Sequence, residues 1–264
     1  MDHKIQLPQK AKIIKKSDNR AIFEIDACYP GYGLTLGNAF RRVLLSSLSG
    51  ATITTVKIKG VSHEFSTIPH IMEDAIHIIL NLKQIRFKVN ALEALPLRVN
   101  LKVNGEKKVK AKDINLSSEL EVINKDAHIA TLTDKKAKLE MEIEIQSGLG
   151  YVPVEQRKKE KLEIGSIAID AIFSPIRKIN YEVENMRVGD RTDFNRLRID
   201  IETDGSISPE DAFTKAADIL VDHFTVFSSP KEMPIQGKEE KKIKRTKKAK
   251  SVSAKTLAGK KSKK

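Results

Sequence analysis

Three glycines, Gly31, Gly33 and Gly37, stand at the start of an apolar segment, and they form the pattern closest to a phosphate-binding loop. A glycine-rich turn that opens a helix can hold phosphate, because its backbone N–H groups and the positive end of the helix dipole both face the anion. The spacing here is GxGxxxG, one residue longer than the dinucleotide-binding pattern, and Gly37 is followed by Asn38 rather than by Lys-Ser/Thr. The pattern therefore favours a tight turn and close backbone packing at Gly37 over a nucleotide-dependent enzyme.

Histidine, cysteine and carboxylate residues form no recognisable catalytic or metal-binding pattern. The six histidines are scattered, and no two have the i, i+4 spacing of a helical zinc site. Cys28 is the only cysteine, which excludes a disulfide scaffold and a thiolate zinc site and fits a reducing cytosol. The carboxylates include no triple-aspartate magnesium motif. The sequence therefore predicts no catalytic residue, no metal site and no cofactor in this chain.

Two arginines follow the glycines and are candidates for a protein contact. On a helical wheel of about 100° per residue, Leu45 falls beside Asn38 and Arg41, and Arg42 lies further round. Leucine next to arginine suits an interface, since arginine is enriched among the residues that carry binding energy. The pattern alone also allows a solvated helix face.

Two amphipathic helices have to position these residues. The first follows Thr35, a predicted cap, and its apolar side includes Leu36, Phe40, Val43 and Leu44. The second starts at residues 208–211, where a serine cap precedes proline and two acidic residues. Its apolar residues have spacings of 4, 3, 4 and 3 and are Phe213, Ala217, Leu220, Phe224 and Phe227. This surplus of apolar helix surface favours self-association as a symmetric dimer.

Alternating segments predict strands around these helices and an inserted module between them. Residues 20–27, 138–146 and 197–202 alternate apolar and polar side chains, as half-buried strands do. The predicted fold class is α+β. Residues 1–50 and 177–230 form a discontinuous dimerisation domain, an antiparallel sheet with the two amphipathic helices, and residues 51–176 form an inserted α/β module.

Three local elements are predicted within the module. Residues 55–65 are predicted to form a strand, and Asn104–Gly105 is the strongest short signal for a hairpin. A helix is predicted to start between Thr67 and Asp74. Its apolar stripe is expected to comprise Met72, Ala75, Ile76, Ile79 and Leu82.

The basic charge of the chain is concentrated in one segment. The chain has a net charge of +13, and residues 238–264 contain 13 Lys/Arg and two Glu, a net of +11, so residues 1–237 are nearly neutral. No apolar periodicity continues after Gly237, and residues 231–264 are therefore predicted to be a disordered, Lys-rich tail. Its most concentrated cations are candidates for sequence-independent DNA contact: Lys241, Lys242, Lys244, Arg245, Lys247 and Lys248.

A free-standing, basic-tailed nucleic-acid-binding protein is the alternative interpretation. Such a protein is expected to carry basic residues interleaved with aromatic ones on its folded body. The chain is only 5% aromatic, and its body is nearly neutral. No apolar run approaches about 18 residues, and residues 1–10 lack the apolar core of a signal peptide, so no membrane association is expected.

Seven blocks of the sequence resemble, in order, the alpha-subunit family of bacterial and plastid DNA-directed RNA polymerases. The blocks are GYGLTLGNAFRRVLLSSLSG at 31–50, GVSHEFSTI at 60–68, EDAIHIILNLK at 73–83, GLGYVP at 148–153, FSPIRKINYEVE at 173–184, RTDFNRL at 191–197 and IETDGSISPEDAF at 201–213. The resemblance covers about residues 5–230. It implies a subunit of a nucleotidyltransferase that acts in transcription.

The resemblance also implies partners and residue roles. Members of the family form a homodimer through the two helices, and the dimer is the assembly platform for the β and β′ subunits. The assembled enzyme is expected to use magnesium on β′, so this chain supplies no catalytic residue. The matching motif implies that Arg42 holds β, with Asn38 and Arg41 beside it, and that Arg191 and Asp193 face the large subunits.

Most bacterial members of this family continue into a helical C-terminal domain that binds upstream DNA and activators. At the corresponding point this sequence carries the Lys-rich tail, so we expect that domain's recognition of upstream DNA to be absent. The expected location is a bacterial cytoplasm rather than a plastid.

Overall fold

The computed structural model describes residues 5–90, 95–157, 163 and 165–228, and it confirms the predicted α+β fold class. The chain divides into two compact units, residues 1–222 and residues 223–264. Of the second unit, the structure describes the last residues of the final helix. The predicted tail, residues 231–264, lies outside the described residues.

The described parts of the chain contain four α-helices, fourteen strands and a short 3-10 helix at Ala111–Asp113. The helices are α1 (Tyr32–Ser46), α2 (Ala75–Leu82), α3 (Val154–Arg157) and α4 (Pro209–Ser228). The first seven strands are β1 (Lys12–Ser17), β2 (Arg20–Cys28), β3 (Ser49–Ile58), β4 (Phe87–Val89), β5 (Leu97–Asn104), β6 (Lys107–Lys110) and β7 (Leu120–Val122). The other strands are β8 (His128–Leu132), β9 (Lys138–Leu149), β10 (Tyr151–Val152), β11 (Ser166–Ala168), β12 (Ala171–Ile172), β13 (Ile176–Val188) and β14 (Arg191–Thr203).

Strands from the two ends of the described chain form one antiparallel sheet. Its order is β1-β2-β14-β13, so β2 pairs with a strand that begins more than 160 residues later. The predicted alternation is confirmed over residues 20–25, because Ala21, Phe23 and Ile25 are buried while Ile22 and Glu24 are only half-buried, but Asp26, predicted on the polar side, is also buried. One face of this sheet therefore carries the apolar residues that α1 and α4 cover.

The opposite face of the same sheet carries a ladder of ion pairs between strands. Arg196 Nε lies 2.7 Å from Asp26 Oδ1, and Arg20 Nη2 lies 2.6 Å from Asp200 Oδ2. The hydrogen bond from Arg196 holds the pKa of the Asp26 carboxyl below its usual value. Opposite charges that face each other across strands stabilise the pairing register.

The middle of the chain builds a second antiparallel sheet. Its strand order is β5-β9-β3-β4-β7, and β11 also pairs with β3. Two short ladders, β10-β12 and β6-β8, accompany it. Residues Lys138–Leu149 form the predicted strand, with Leu139, Met141, Ile143 and Ile145 buried on one side.

Most buried apolar side chains of the described residues belong to one of two separate clusters. One is drawn from residues 21–48 and 176–216, and the other from residues 51–169. The transitions between clusters fall near the predicted domain boundaries. The division into a discontinuous domain and an inserted module nevertheless stays a prediction, since residues 1–222 form one compact unit.

Three predicted elements of the module differ from the structure. Strand β3 ends at Ile58, because Gly60 adopts a φ of 84° and turns the chain. Asp74 caps α2 by accepting a hydrogen bond from the His77 N–H at 2.9 Å, which leaves Met72 exposed and outside the helix. The Asn104–Gly105 turn does not join a hairpin, because β5 pairs with β9 and β6 pairs with β8.

Candidate functional site

Helix α1 lies directly on β13 and β14 because two of its residues have no side chain. A Cβ atom at Gly37 would lie 2.6 Å from Tyr181 Cδ2, and one at Gly33 would lie 2.8 Å from Val183 Cγ1. Separations under about 3.0 Å are closer than real Cβ atoms approach their neighbours. The predicted close packing at Gly37 is confirmed, and it fixes the distance between α1 and the sheet.

The N-terminus of α1 uses its backbone donors within the chain. Gly31 precedes the helix with a φ of 85°, in the left-handed region that glycine adopts easily. Its N–H donates to Asn195 Oδ1 at 2.9 Å, and the Tyr32 N–H donates to the Tyr29 carbonyl at 2.9 Å. The helix therefore starts at Tyr32, not after Thr35; Gly31 makes the turn before it, and Gly33 and Gly37 lie within the helix rather than in a phosphate-binding loop.

An aromatic stack joins α1 to α4 inside the protomer. The Phe213 ring stacks on Phe40 with centroids 4.8 Å apart and on Phe23 with centroids 4.5 Å apart. Leu44 has no exposed surface, and Phe40 is also buried. Phe40 and Leu44, both predicted for the dimer interface, thus pack within one protomer. The remaining candidates for the dimer interface are the less buried residues of the two helices.

Those less buried residues lie on both helices. Leu36 and Val43 of α1 are half-buried, as are Phe213, Ala217 and Leu220 of α4. In the second unit, Phe224 is 66% exposed and Phe227 is 70% exposed. A large aromatic side chain left this exposed offers considerable apolar area to a partner.

A row of polar and apolar side chains runs along another side of α1, and we call this row the arginine face. It consists of Leu34, Asn38, Arg41 and Leu45, all exposed and spaced 4, 3 and 4 residues apart, with Arg42 beside them. The structure thus brings together all four α1 residues predicted for large-subunit contact. The predicted set omitted Leu34, although its spacing to Asn38 is the signal that would have found it.

The arginine face carries unpaired positive charge. Within the described parts of the chain, neither Arg41 nor Arg42 forms an ion pair through its guanidinium group. Most other arginines on the described sheets are paired with carboxylates, as Arg196 and Arg198 are. An anionic group on a partner would therefore meet two available guanidinium groups here.

Arg191 and Asp193 lie near the other end of α1. Arg191 donates twice to Asp193, at 3.0 and 2.7 Å, and its Cζ lies 5.5 Å from the Tyr29 ring centroid. The hydrogen bond from Arg191 holds the pKa of the Asp193 carboxyl below its usual value. Tyr29 precedes α1, whereas Arg42 lies about 15 Å further along the helix axis, so the predicted contact residues form two groups rather than one.

The remaining predictions concern metals, membranes and the tail. Among the described residues, no group of three or more His, Cys, Asp or Glu side chains is placed to hold a metal ion. No helix in the described ranges combines the length and apolar character needed to cross a membrane. The six tail cations predicted to contact DNA lie outside the described residues.

The amino-acid sequence is similar to those of known transcription proteins. Residues 56–174 match the family model described as RNA polymerase Rpb3/RpoA insert domain. The chain is 45% identical to the DNA-directed RNA polymerase subunit alpha of Salinibacter ruber, over 92% of this chain and 73% of that protein. It is 46% identical to the protein of that name in Porphyromonas gingivalis (86% and 68% covered) and 44% identical to that of Symbiobacterium thermophilum (85% and 71% covered).

The substitution Gly37→Ala tests the contact between α1 and the sheet. In an open helix, alanine would stabilise by up to about 1 kcal/mol relative to glycine. Here the added methyl group meets the Tyr181 ring, and we expect a net loss of about 1–3 kcal/mol in the free energy of unfolding. Urea denaturation at fixed protein concentration measures it.

The matched control is Asn38→Ala, the next position on the same helix, whose side chain is exposed. We expect this variant to be as stable as the wild type or slightly more stable. Equal stability of Gly37→Ala and Asn38→Ala would contradict the close-packing role of Gly37.

Proposed function

The chain belongs to the family of DNA-directed RNA polymerase alpha subunits, and we propose that it acts in this enzyme as a non-catalytic assembly subunit. Two copies form a homodimer through α1 and α4, and the dimer is the platform on which the β and β′ subunits assemble. DNA is contacted through the assembled enzyme, which we expect to work in a bacterial cytoplasm.

The observation that carries this proposal is the division of α1 into three faces. One face, with Gly37 and Leu44, is buried against the chain's own sheet. A second holds Leu36 and Val43, which are half-buried and pack against the same cluster as Phe213 and Ala217 of α4. The third is the arginine face, which is exposed and whose arginines form no ion pair with the described residues. A helix that packs on its own sheet with one face and leaves two other faces for contacts suits a subunit that binds both a second copy and a larger partner.

The chemistry of RNA synthesis belongs to the partners in this proposal. Phosphodiester formation requires magnesium ions held by carboxylates. We assign those ligands to β′, because the sequence of this chain contains no comparable cluster of aspartates. The chain then contributes to catalysis by positioning the large subunits, not by touching the nucleotide.

The substitution Phe224→Asp tests the dimer. It places a charge on the apolar stripe of α4, at an exposed position where it does not disturb the protomer core. We expect a folded protein that is monomeric at low micromolar concentration in multi-angle light scattering.

The control is Val226→Asp, which introduces the same charge at a position 75% exposed and two residues along, about 200° round the helix. This variant should remain dimeric. A Phe224→Asp protein that still dimerises like Val226→Asp would refute the assignment of α4 to the dimer interface.

The substitution Arg42→Ala tests large-subunit capture. Because Arg42 is exposed and unpaired in the described structure, its truncation should leave the dimer and its thermal stability unchanged. We expect affinity for purified β to fall about 30-fold or more, as for an interface hot spot. Arg42→Lys should recover only part of the loss, since lysine lacks the planar fork of donors.

The control for this experiment is Arg98→Ala on β5. Arg98 is half-exposed and pairs with Glu163 at 2.8 Å. Because ion pairs at the surface contribute little stability, removal of the Arg98 side chain should lower the free energy of unfolding only slightly. Wild-type affinity of Arg42→Ala for both β and β′ would show that the role has been assigned to the wrong residue.

The tail is proposed to add sequence-independent contact with DNA phosphate. The support is its net charge of +11 in residues 238–264. Each phosphate contact contributes roughly 0.9 to the slope of log affinity against log salt concentration. Deleting residues 238–264 should therefore weaken DNA binding by the assembled enzyme and flatten that slope, whereas an unchanged slope would mean that the tail does not contact DNA.

A further inference from the structure

We infer that the large subunit held by Arg42 also covers the β10–β12 strand pair, where Tyr151 and Ile172 offer it an apolar surface. This inference rests on the proposed function and extends its contact site from one helix to a second element. The occupant is an apolar segment of that large subunit, flanked by at least one carboxylate.

The surface in question is formed by three apolar side chains at the end of β9 and on β10 and β12. Tyr151 and Ile172 are directly opposite each other in the ladder, so they share one face of it. Tyr151 is 58% exposed, Ile172 is 39% exposed, and Leu149 is 56% exposed. Neither buried cluster of the protein includes any of the three.

This apolar surface is continuous with the end of α1. A Cβ atom built on Gly150 would lie 3.5 Å from the Ser46 carbonyl oxygen, so the turn between β9 and β10 contacts the last residue of the helix. Leu45, 40% exposed, is the preceding residue. The Ser46 hydroxyl donates to the Arg42 carbonyl at 2.8 Å, which ties the same turn of helix to Arg42.

The local packing holds the strand pair firmly against this helix end. The N–H groups of Phe173 and Ser174 both donate to the Gly150 carbonyl, at 2.8 and 3.1 Å. The Phe173 ring occupies the space that a Cβ at Gly148 would fill. Tyr151 and Ile172 are therefore presented by a fixed backbone, which lowers the entropy cost of binding.

The character of the surface indicates the chemistry of its occupant. A contiguous exposed apolar patch beside arginine is typical of an interface core and its polar rim. Tyrosine and arginine are also the side chains most often found at interface hot spots. Because Arg41 and Arg42 have no carboxylate partner in the described structure, a carboxylate on the occupant can pair with them and would match the charge of this surface.

A second copy of this chain fits the surface less well than a large subunit does. Leu36 lies nine residues before Leu45, which puts the two about 180° apart on the helix. Val43 lies on the same side as Leu36. The dimer contact proposed for Leu36 thus faces away from Leu45, the apolar residue at the end of the arginine face.

The test is a double variant, Tyr151→Thr with Ile172→Thr, which keeps residues of high β propensity on exposed positions. The matched control is Ile13→Thr on β1, an exposed isoleucine on an edge strand of the other sheet. Each full-length dimer is titrated against purified β and against purified β′, and light scattering reports the oligomeric state.

We expect the double variant to remain dimeric and to lose at least about tenfold in affinity for the same large subunit that Arg42→Ala fails to hold. The Ile13→Thr control should bind like the wild type. Three results would overturn the inference: unchanged capture by the double variant, loss of the large subunit that does not depend on Arg42, or loss of the dimer. If the wild-type chain captures neither β nor β′, the proposed function fails first, and the inference fails with it.

Discussion

The close approach of α1 to the four-stranded sheet is the constraint on which the rest of the structure depends. With only hydrogen atoms at Gly33 and Gly37, the helix backbone rests against Tyr181 and Val183. At this distance Phe40 reaches the Phe213 ring and closes the cluster beneath both helices. Because one side of α1 is packed closely on the sheet, the orientation of the helix is fixed. Its other sides can therefore bind a partner with little loss of conformational entropy.

The two buried clusters support different elements of the chain. The cluster beneath α1 and α4 orients the helices, whereas the central cluster carries the long strands β3 and β9 up to the end of α1. The turn at Gly150 brings the end of β9 next to Ser46, the last residue of α1. A contact surface that includes Arg42 on one side and Tyr151 on the other therefore depends on both clusters, although neither of these side chains belongs to either core.

Periodicity in the sequence predicted the long elements well and the junctions poorly. The alternation around Phe23 and Met141 and the cap at Ser208 were sufficient to place β2, β9 and α4, since local pattern and burial agree there. The Asn104–Gly105 signal specified a turn but not the pairing partner of β5, which is decided by distant strands. The exposure of Tyr151 and Ile172 could not be predicted either, because a two-residue strand has no measurable period. Phe40 and Leu44 share a stripe with Leu36, and only the packed structure separates core from surface.

The pairing of β2 with β14 also sets the order in which a growing chain can fold. Strand β2 ends at Cys28, but β13, the first of the two strands that support α1, begins at Ile176. At a synthesis rate of about 5–20 residues per second, roughly 7–30 s separate the two on the ribosome. The central cluster, complete by residue 169, can form during this interval. During this interval the apolar side of α1, which includes Phe40, has no strand to cover it. Assembly of the outer sheet is therefore a late event of biosynthesis. It is also the stage at which a nascent chain is most exposed to aggregation.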